Sequence, residues 1–223
     1  MPPKIKYTKE QIIKAALEIV RTEGEDGISA RAIGKILGSS SQPLFSCFEN
    51  MEELKKGVLN AAKELYGEYV SAGLLEEAPF KGAGMKHIKF ANDEPELFVY
   101  LFMTDRGEKA VPHFLFRNGI NYENVLSALE KSWELEKEKA ERIYNHISVY
   151  THGLAILFAQ KTNIYTLKEA EEMITHVFKA LIKKGFCKVK MKKVERKEKI
   201  LPDKMINDQL SFVKGKMNVQ HAH

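Results

Sequence analysis

The chain has 223 residues, 44% of them hydrophobic and 29% charged, with a formal net charge of +5 at pH 7, which excludes wholesale disorder and allows a real core. No apolar run reaches the roughly 18 residues of a membrane span, and two cysteines, Cys47 and Cys187, are too few for a disulfide framework. The opening MPPKIKYTKE lacks the apolar stretch of a signal peptide, so a cytoplasmic protein with no membrane contact is expected.

Strand signals are nearly absent and helical periodicity runs throughout, which predicts an all-α fold. Ile12, Ile13, Ala16, Leu17 and Val20 form one stripe, opened by Thr8 with Gln11 as a capping box and closed at Glu23-Gly24. Ser29 caps a shorter second helix expected to bury Ile33 and Ile36 and to end at Gly38. Ser40 caps a third, in which Pro43 is tolerable because it falls in the first turn. A fourth starts near Asn50, runs through MEELKKGVLNAAKELYGEYV and ends between Gly73 and Pro79.

Beyond Pro79 the stretch HIKFANDEPELFVYLFM is expected to hold a helix, a break at Asn92-Asp93 and a new helix with Pro95 near its start. TDRGEKAVPHF is a loop, followed by a helix over 121–133 and another over about 135–159 whose rear part, ISVYTHGLAILFA, is apolar almost all round. Thr166 and Glu169 open a last body helix, over about 166–184, carrying a stripe from Ala170 to Ile182. From Lys183 onward, 12 Lys and Arg face 4 acids, so the end of the chain is much more basic than the body.

A long helix, a short helix, a Gly-containing turn and a second short helix make the helix-turn-helix plan. In it Ile33, Ile36, Leu44 and Phe48 would fix the short helices against the first, leaving Ser40, Ser41 and Gln42 outward. Ser and Gln side chains reach phosphates and base edges, and Gln suits adenine. The same SSSQP stretch also suits an ordinary polar turn.

Residues 8–54 carry, in order, the AAL of the first helix, Gly24, ISARAIGKILG, Ser40, Leu44, Phe45, Phe48 and Glu53-Leu54. In this they resemble the DNA-binding domain of the tetracycline-repressor (TetR) family of transcriptional regulators. The resemblance implies a homodimer that binds a palindromic double-stranded DNA operator and is released by a small-molecule effector. It implies a DNA-binding domain over 1–55, an effector-binding and dimerisation domain over 56–184, and a basic extension over 185–223. The DNA-contacting residues would be Lys6, Arg31, Ser39, Ser40, Ser41, Gln42, Pro43, Phe45, Lys55 and Lys56.

Four positions depart from the family pattern, one of them Pro43, which replaces a small residue. Phe45 stands where a Tyr commonly offers its hydroxyl to phosphate, Cys47 where His or Tyr is frequent, and Met51 where a Lys often meets the backbone. These losses bear on affinity more than on fold, and they keep open a rival: a ligand-binding or scaffolding dimer whose helix-turn-helix no longer binds DNA.

In the rear half, aromatic and polar side chains within apolar helices suit a small-molecule pocket, though aromatics at helical spacing also suit a plain core. The pocket residues would be Phe98, Phe102, Met103, Trp133, Tyr144, His146, Tyr150 and His152, with Phe90, Tyr100 and Phe116 as further aromatic members. Leu154, Ile174, Val177, Phe178 and Leu181 would pair with their twins across the dimer. No catalytic motif such as GxSxG, HExxH or CxxC is present, so neither an enzyme nor a cofactor is expected. His146 and His152 lie six residues apart, on different helix faces, and make a poor metal pair.

Overall fold

A computed structural model describes residues 7–40, 42–104 and 121–183, and of residue 43 the backbone alone. Lys6, Ser41, the Pro43 side chain, Phe116, Cys187, most of the expected loop and the basic extension lie outside the described residues. All described secondary structure is helical.

Helix α1 (Lys9–Glu23) starts on the expected capping box: the Thr8 hydroxyl accepts from the Gln11 N–H at 3.3 Å, and the Gln11 side chain accepts from the Thr8 N–H at 2.9 Å. It buries Ile12, Ala15, Ala16, Ile19 and Val20. A short 3₁₀ turn leads to α2 (Ala30–Ile36) and α3 (Gln42–Cys47). Ile33, Leu44 and Phe48 are buried as expected, but Ile36 is 51% exposed. Leu37, one turn after Ile33, packs on the core in its place. Helical phase explains the difference: positions four apart share a face, positions three apart lie farther round it.

Helix α4 (Met51–Leu74) is capped by Asn50 and runs through the expected domain boundary at residue 55, so both halves share it. It packs antiparallel to α5 (Pro79–Asp93). Their junction is tight: a Cβ on Gly82 would lie 2.2 Å from the Gly73 carbonyl oxygen, so this crossing requires hydrogen at both positions. Glu94 separates α5 from α6 (Pro95–Phe102).

Helices α7 (Tyr122–Trp133), α8 (Lys137–Ala159) and α9 (Leu167–Leu181) complete the body, α9 on its expected Thr166–Glu169 capping box. The core falls into two clusters. The larger joins α1 through α6 with α8 and α9, and the smaller gathers Tyr122, Leu126, Leu129, Ile143, Tyr144 and Ile182. Phe80, Val125 and Phe178 pack against both, so the seam between the clusters runs along α5, α7 and α9. Among the described residues no helix is long and apolar enough to cross a membrane.

Candidate functional site

The front of the molecule is a helix-turn-helix closed by backbone chemistry. Ser29 caps α2 by accepting the Ala32 N–H at 3.2 Å. At the other end the Ser39 N–H reaches the Gly34 carbonyl at 2.8 Å and the Gly38 N–H reaches Lys35 at 3.2 Å. With Gly38 at φ +61°, this is a Schellman motif. The turn folds back so closely that a Cβ on buried Gly34 would sit 2.8 Å from the Ser39 carbonyl oxygen.

Neighbouring groups hold this unit from several sides. The Tyr7 hydroxyl donates to the Leu37 carbonyl at 2.5 Å, and the Cys47 thiol donates to the Tyr7 carbonyl at 3.4 Å. Cys47 thus ties the segment before α1 to the end of α3. Asn50 accepts the Glu53 N–H at 2.9 Å, while the Glu53 carboxylate takes the Glu49 N–H at 2.8 Å and Lys9 at 2.6 Å. The hydrogen bond from Lys9 holds the Glu53 carboxyl below the usual carboxylate range.

Of the expected DNA-contacting residues, Arg31, Ser40, Gln42, Phe45 and Lys56 are exposed and Ser39 is half-buried. The Ser40 hydroxyl accepts the Gln42 N–H at 3.4 Å, at the start of α3. Lys55 is half-buried and pairs with Glu25 at 3.5 Å.

In the body, a cavity of about 380 Å³ opens at the seam between the two core clusters. Val70 and Tyr66 of α4, Phe80, Ala83 and His87 of α5, Trp133 of α7, Tyr144, Ile147 and Thr151 of α8, and Ile174 and Phe178 of α9 form its wall. Two of the expected pocket residues, Trp133 and Tyr144, are on that wall. Three stand behind it: the Phe98 and Phe102 rings each lie 5.5 Å from the His87 ring, and the His152 ring lies 5.4 Å away. Met103 and His146 are exposed and Tyr150 is half-buried, and none of the three lines the cavity. Phe90 and Tyr100 are buried core, Tyr100 donating to the Lys55 carbonyl at 3.4 Å.

From the wall a polar chain runs inward across three helices. The Tyr66 hydroxyl lies 2.9 Å from His87 Nδ1, and His87 Nε2 lies 3.2 Å from His152 Nδ1. Burial, and secondarily the neighbouring His152, pushes His87 down to about 3; burial pushes His152 down to about 4. Both imidazoles are therefore neutral at neutral pH. Burial also raises the Tyr66 hydroxyl and carries Tyr144 up to about 12.

Sequence reasoning missed Tyr66 and His87. A signal existed: His87 stands four residues after Ala83 and four before Ala91, a polar group in the middle of an apolar stripe. Among the described residues no cluster of His, Cys, Asp and Glu could hold a metal ion.

The expected dimer residues divide in the same way. Leu154 and Ile174 are buried within the protomer and Phe178 is on the cavity wall, packed on Trp133 at 5.2 Å between rings. Val177 and Leu181 are half-buried. On α8, Val149 is 58% exposed, and a Cβ on Gly153 would meet nothing within 4 Å. Val149 and Gly153, one turn apart, form an open patch of small and apolar surface.

No known family model matches the sequence, and no curated protein matches it. Solved structures do. A chain assigned to the TetR family of transcriptional regulators, from a Rhodococcus species, is 15% identical, with a TM-score of 0.59 over 78% of this chain and 98% of its own. Another assigned to that family, from a Shewanella species, is 15% identical with a TM-score of 0.48, over 78% of this chain and 96% of its own. The TetR-family repressor AlkX from a Dietzia strain is 13% identical with a TM-score of 0.40, over 77% and 93%. The first likeness establishes that the chain has the all-α fold of a TetR-family regulator; the other two fall below the level at which a common fold is argued.

Proposed function

We propose that the protein is a one-component transcriptional regulator of the TetR type, a repressor acting as a homodimer in the cytoplasm. Paired helix-turn-helix units over 1–55 bind a palindromic operator, and residues 56–184 hold a small-molecule effector and the dimer surface. Effector binding favours a dimer geometry in which the two α3 helices no longer match the operator's half-site spacing. The basic stretch over 185–223 adds sequence-independent attraction to DNA. Nothing in this reading calls for catalysis or a cofactor.

The observation that carries it is the pairing, in one fold, of a tightly closed helix-turn-helix with a built cavity in the body. The exposed Arg31, Ser40, Gln42 and Lys56 supply phosphate and base-edge chemistry. The open α8 patch at Val149 and Gly153 suits close approach of a second copy, with Val177 and Leu181 as further apolar members.

Binding of the full-length protein to fragments flanking its own gene, followed by fluorescence anisotropy, tests the reading. One fragment should be retained well above random DNA. Gln42→Ala should weaken that complex by roughly 1–3 kcal/mol and leave random DNA binding almost unchanged. Equal binding to all fragments would remove the operator reading.

Two ion pairs favour the rival, a ligand-binding dimer without DNA competence. Lys9 is tied to Glu53 and Lys55 to Glu25, so two cations beside the helix-turn-helix are already matched by acids. In that case no fragment is retained, yet the dimer and a cavity ligand remain.

A further inference from the structure

We propose that the cavity selects an uncharged, largely apolar ligand carrying a hydroxyl or carbonyl group, received by the Tyr66–His87–His152 hydrogen-bond chain. The inference rests on the cavity being the effector site, and it names the chemistry that site accepts.

The chain is built from three helices and could not assemble by local accident. Tyr66 and His87 are buried, at 6% exposure each, and their 2.9 Å contact spans α4 and α5 while the 3.2 Å contact from His87 to His152 spans α5 and α8. The Phe98 and Phe102 rings back it from α6. Each of the two contacts holds one hydrogen, so the whole chain can run in either direction with every member neutral. In one direction the Tyr66 O–H donates to His87 Nδ1 and the phenolic oxygen keeps acceptor capacity. In the other, His152 Nδ1–H donates to His87, His87 Nδ1–H donates to the Tyr66 oxygen, and the Tyr66 O–H turns to donate elsewhere. The wall can therefore meet a ligand donor or a ligand acceptor, as a hydroxyl or a carbonyl requires.

It is poorly suited to charge. A buried carboxylate or ammonium must be paired to offset its lost hydration. The chain cannot supply that pairing cheaply, because protonating His87 would place a cation in a buried aromatic cage beside a second imidazole. The charged lining residues stand at the solvent side. Lys81 is already paired with Glu171 at 2.5 Å, and Lys179 and Glu77 are exposed, where water screens them.

Calorimetric titration of the full-length protein at pH 7.5 with three probes of one shape tests this: 4-phenylphenol, biphenyl and biphenyl-4-carboxylate. The phenol should bind about 5-fold tighter than biphenyl, the effect of one hydrogen bond in a dry site. It should bind at least about 10-fold tighter than the carboxylate. In Tyr66→Phe the phenol should fall to the level of biphenyl while biphenyl itself is unchanged. The probe ranking on wild type stands by itself if that variant does not fold. A carboxylate that binds as tightly as the phenol, above all one that Lys179→Ala weakens, overturns the proposal. So does a phenol no better than biphenyl, a Tyr66→Phe variant that keeps the preference, or no binding by any probe. Phenol binding with the expected ranking but no release of operator DNA supports the ligand chemistry and removes the effector step of the regulator reading instead.

Discussion

Arg21, in the last turn of α1, grips Glu94, the residue that separates α5 from α6, with two nitrogens of its guanidinium. Nε donates to Glu94 Oε2 at 2.8 Å and a terminal nitrogen donates to the other carboxylate oxygen, while the remaining one reaches Glu18 at 2.9 Å. The Glu94 side chain is 14% exposed, so this bidentate pair is shielded from much of the solvent that weakens surface ion pairs. It joins the helix-turn-helix to the end of α6 that leads to Phe98 and Phe102, the two rings packed on His87.

Arg21→Ala should therefore destabilise the protein by about 1–3 kcal/mol, because it strands a largely buried carboxylate. Glu94→Gln, which keeps one acceptor, should cost less. Urea denaturation of both variants measures this. Wild-type stability in Arg21→Ala would mean that the pair behaves as a solvated surface contact.

The turn between α2 and α3 makes a second prediction. Gly34→Ala adds a Cβ 2.8 Å from the Ser39 carbonyl and 3.1 Å from the Ser40 backbone, atoms that cannot give way without opening the Schellman turn. A loss of about 1–3 kcal/mol is expected. DNA binding should fall further than stability does, since α3 is carried by that turn. Amide exchange should localise the damage to 34–40; uniform damage across the chain would point to a core effect instead.

At Gly153 stability and assembly should part company. A Cβ at this exposed position meets nothing within 4 Å in the protomer, so Gly153→Arg should cost little packing there and gain up to about 0.8 kcal/mol of helix propensity. Across a close helix–helix interface the same side chain has no room. The variant should sediment as a monomer with an unchanged or raised unfolding midpoint. An intact dimer would mean that copies of the chain meet elsewhere.

The buried imidazoles set the response to acid. His87 is lowered from 6.5 to about 3 in the folded chain, so between those values the unfolded chain binds a proton that the folded chain refuses. Stability is then full above about pH 6.5 and falls as the pH drops below it, by about 1.4 kcal/mol per pH unit for His87. The half-buried His152, lowered to about 4, adds in the same direction. Melting midpoints from pH 7.5 to 5.0 should decline more steeply for wild type than for His87→Gln. Parallel curves would show that His87 takes up its proton without unfolding.

Local chemistry was legible in the linear chain. Thr8 with Gln11, Ser29, Asn50 and Thr166 with Glu169 each announce a helix start because a cap is satisfied within three residues of itself. The all-α fold and the order of its helices follow from those stops and starts together with the period of the apolar stripes. What an apolar stripe packs against is a different matter. Leu154 and Ile174 carry the same signal whether they face their own protomer or a second copy, and only the packing of α8 and α9 on α5 assigns them to the protomer's own core. Likewise His87 shows itself in sequence as a lone polar residue in an apolar stripe, with no hint of its partners, since Tyr66 and His152 lie 21 and 65 residues away. Periodicity records how apolar each face of a helix is. Which faces meet, at what crossing, and which polar groups thereby come within hydrogen-bond reach of one another is decided by how all the helices pack at once.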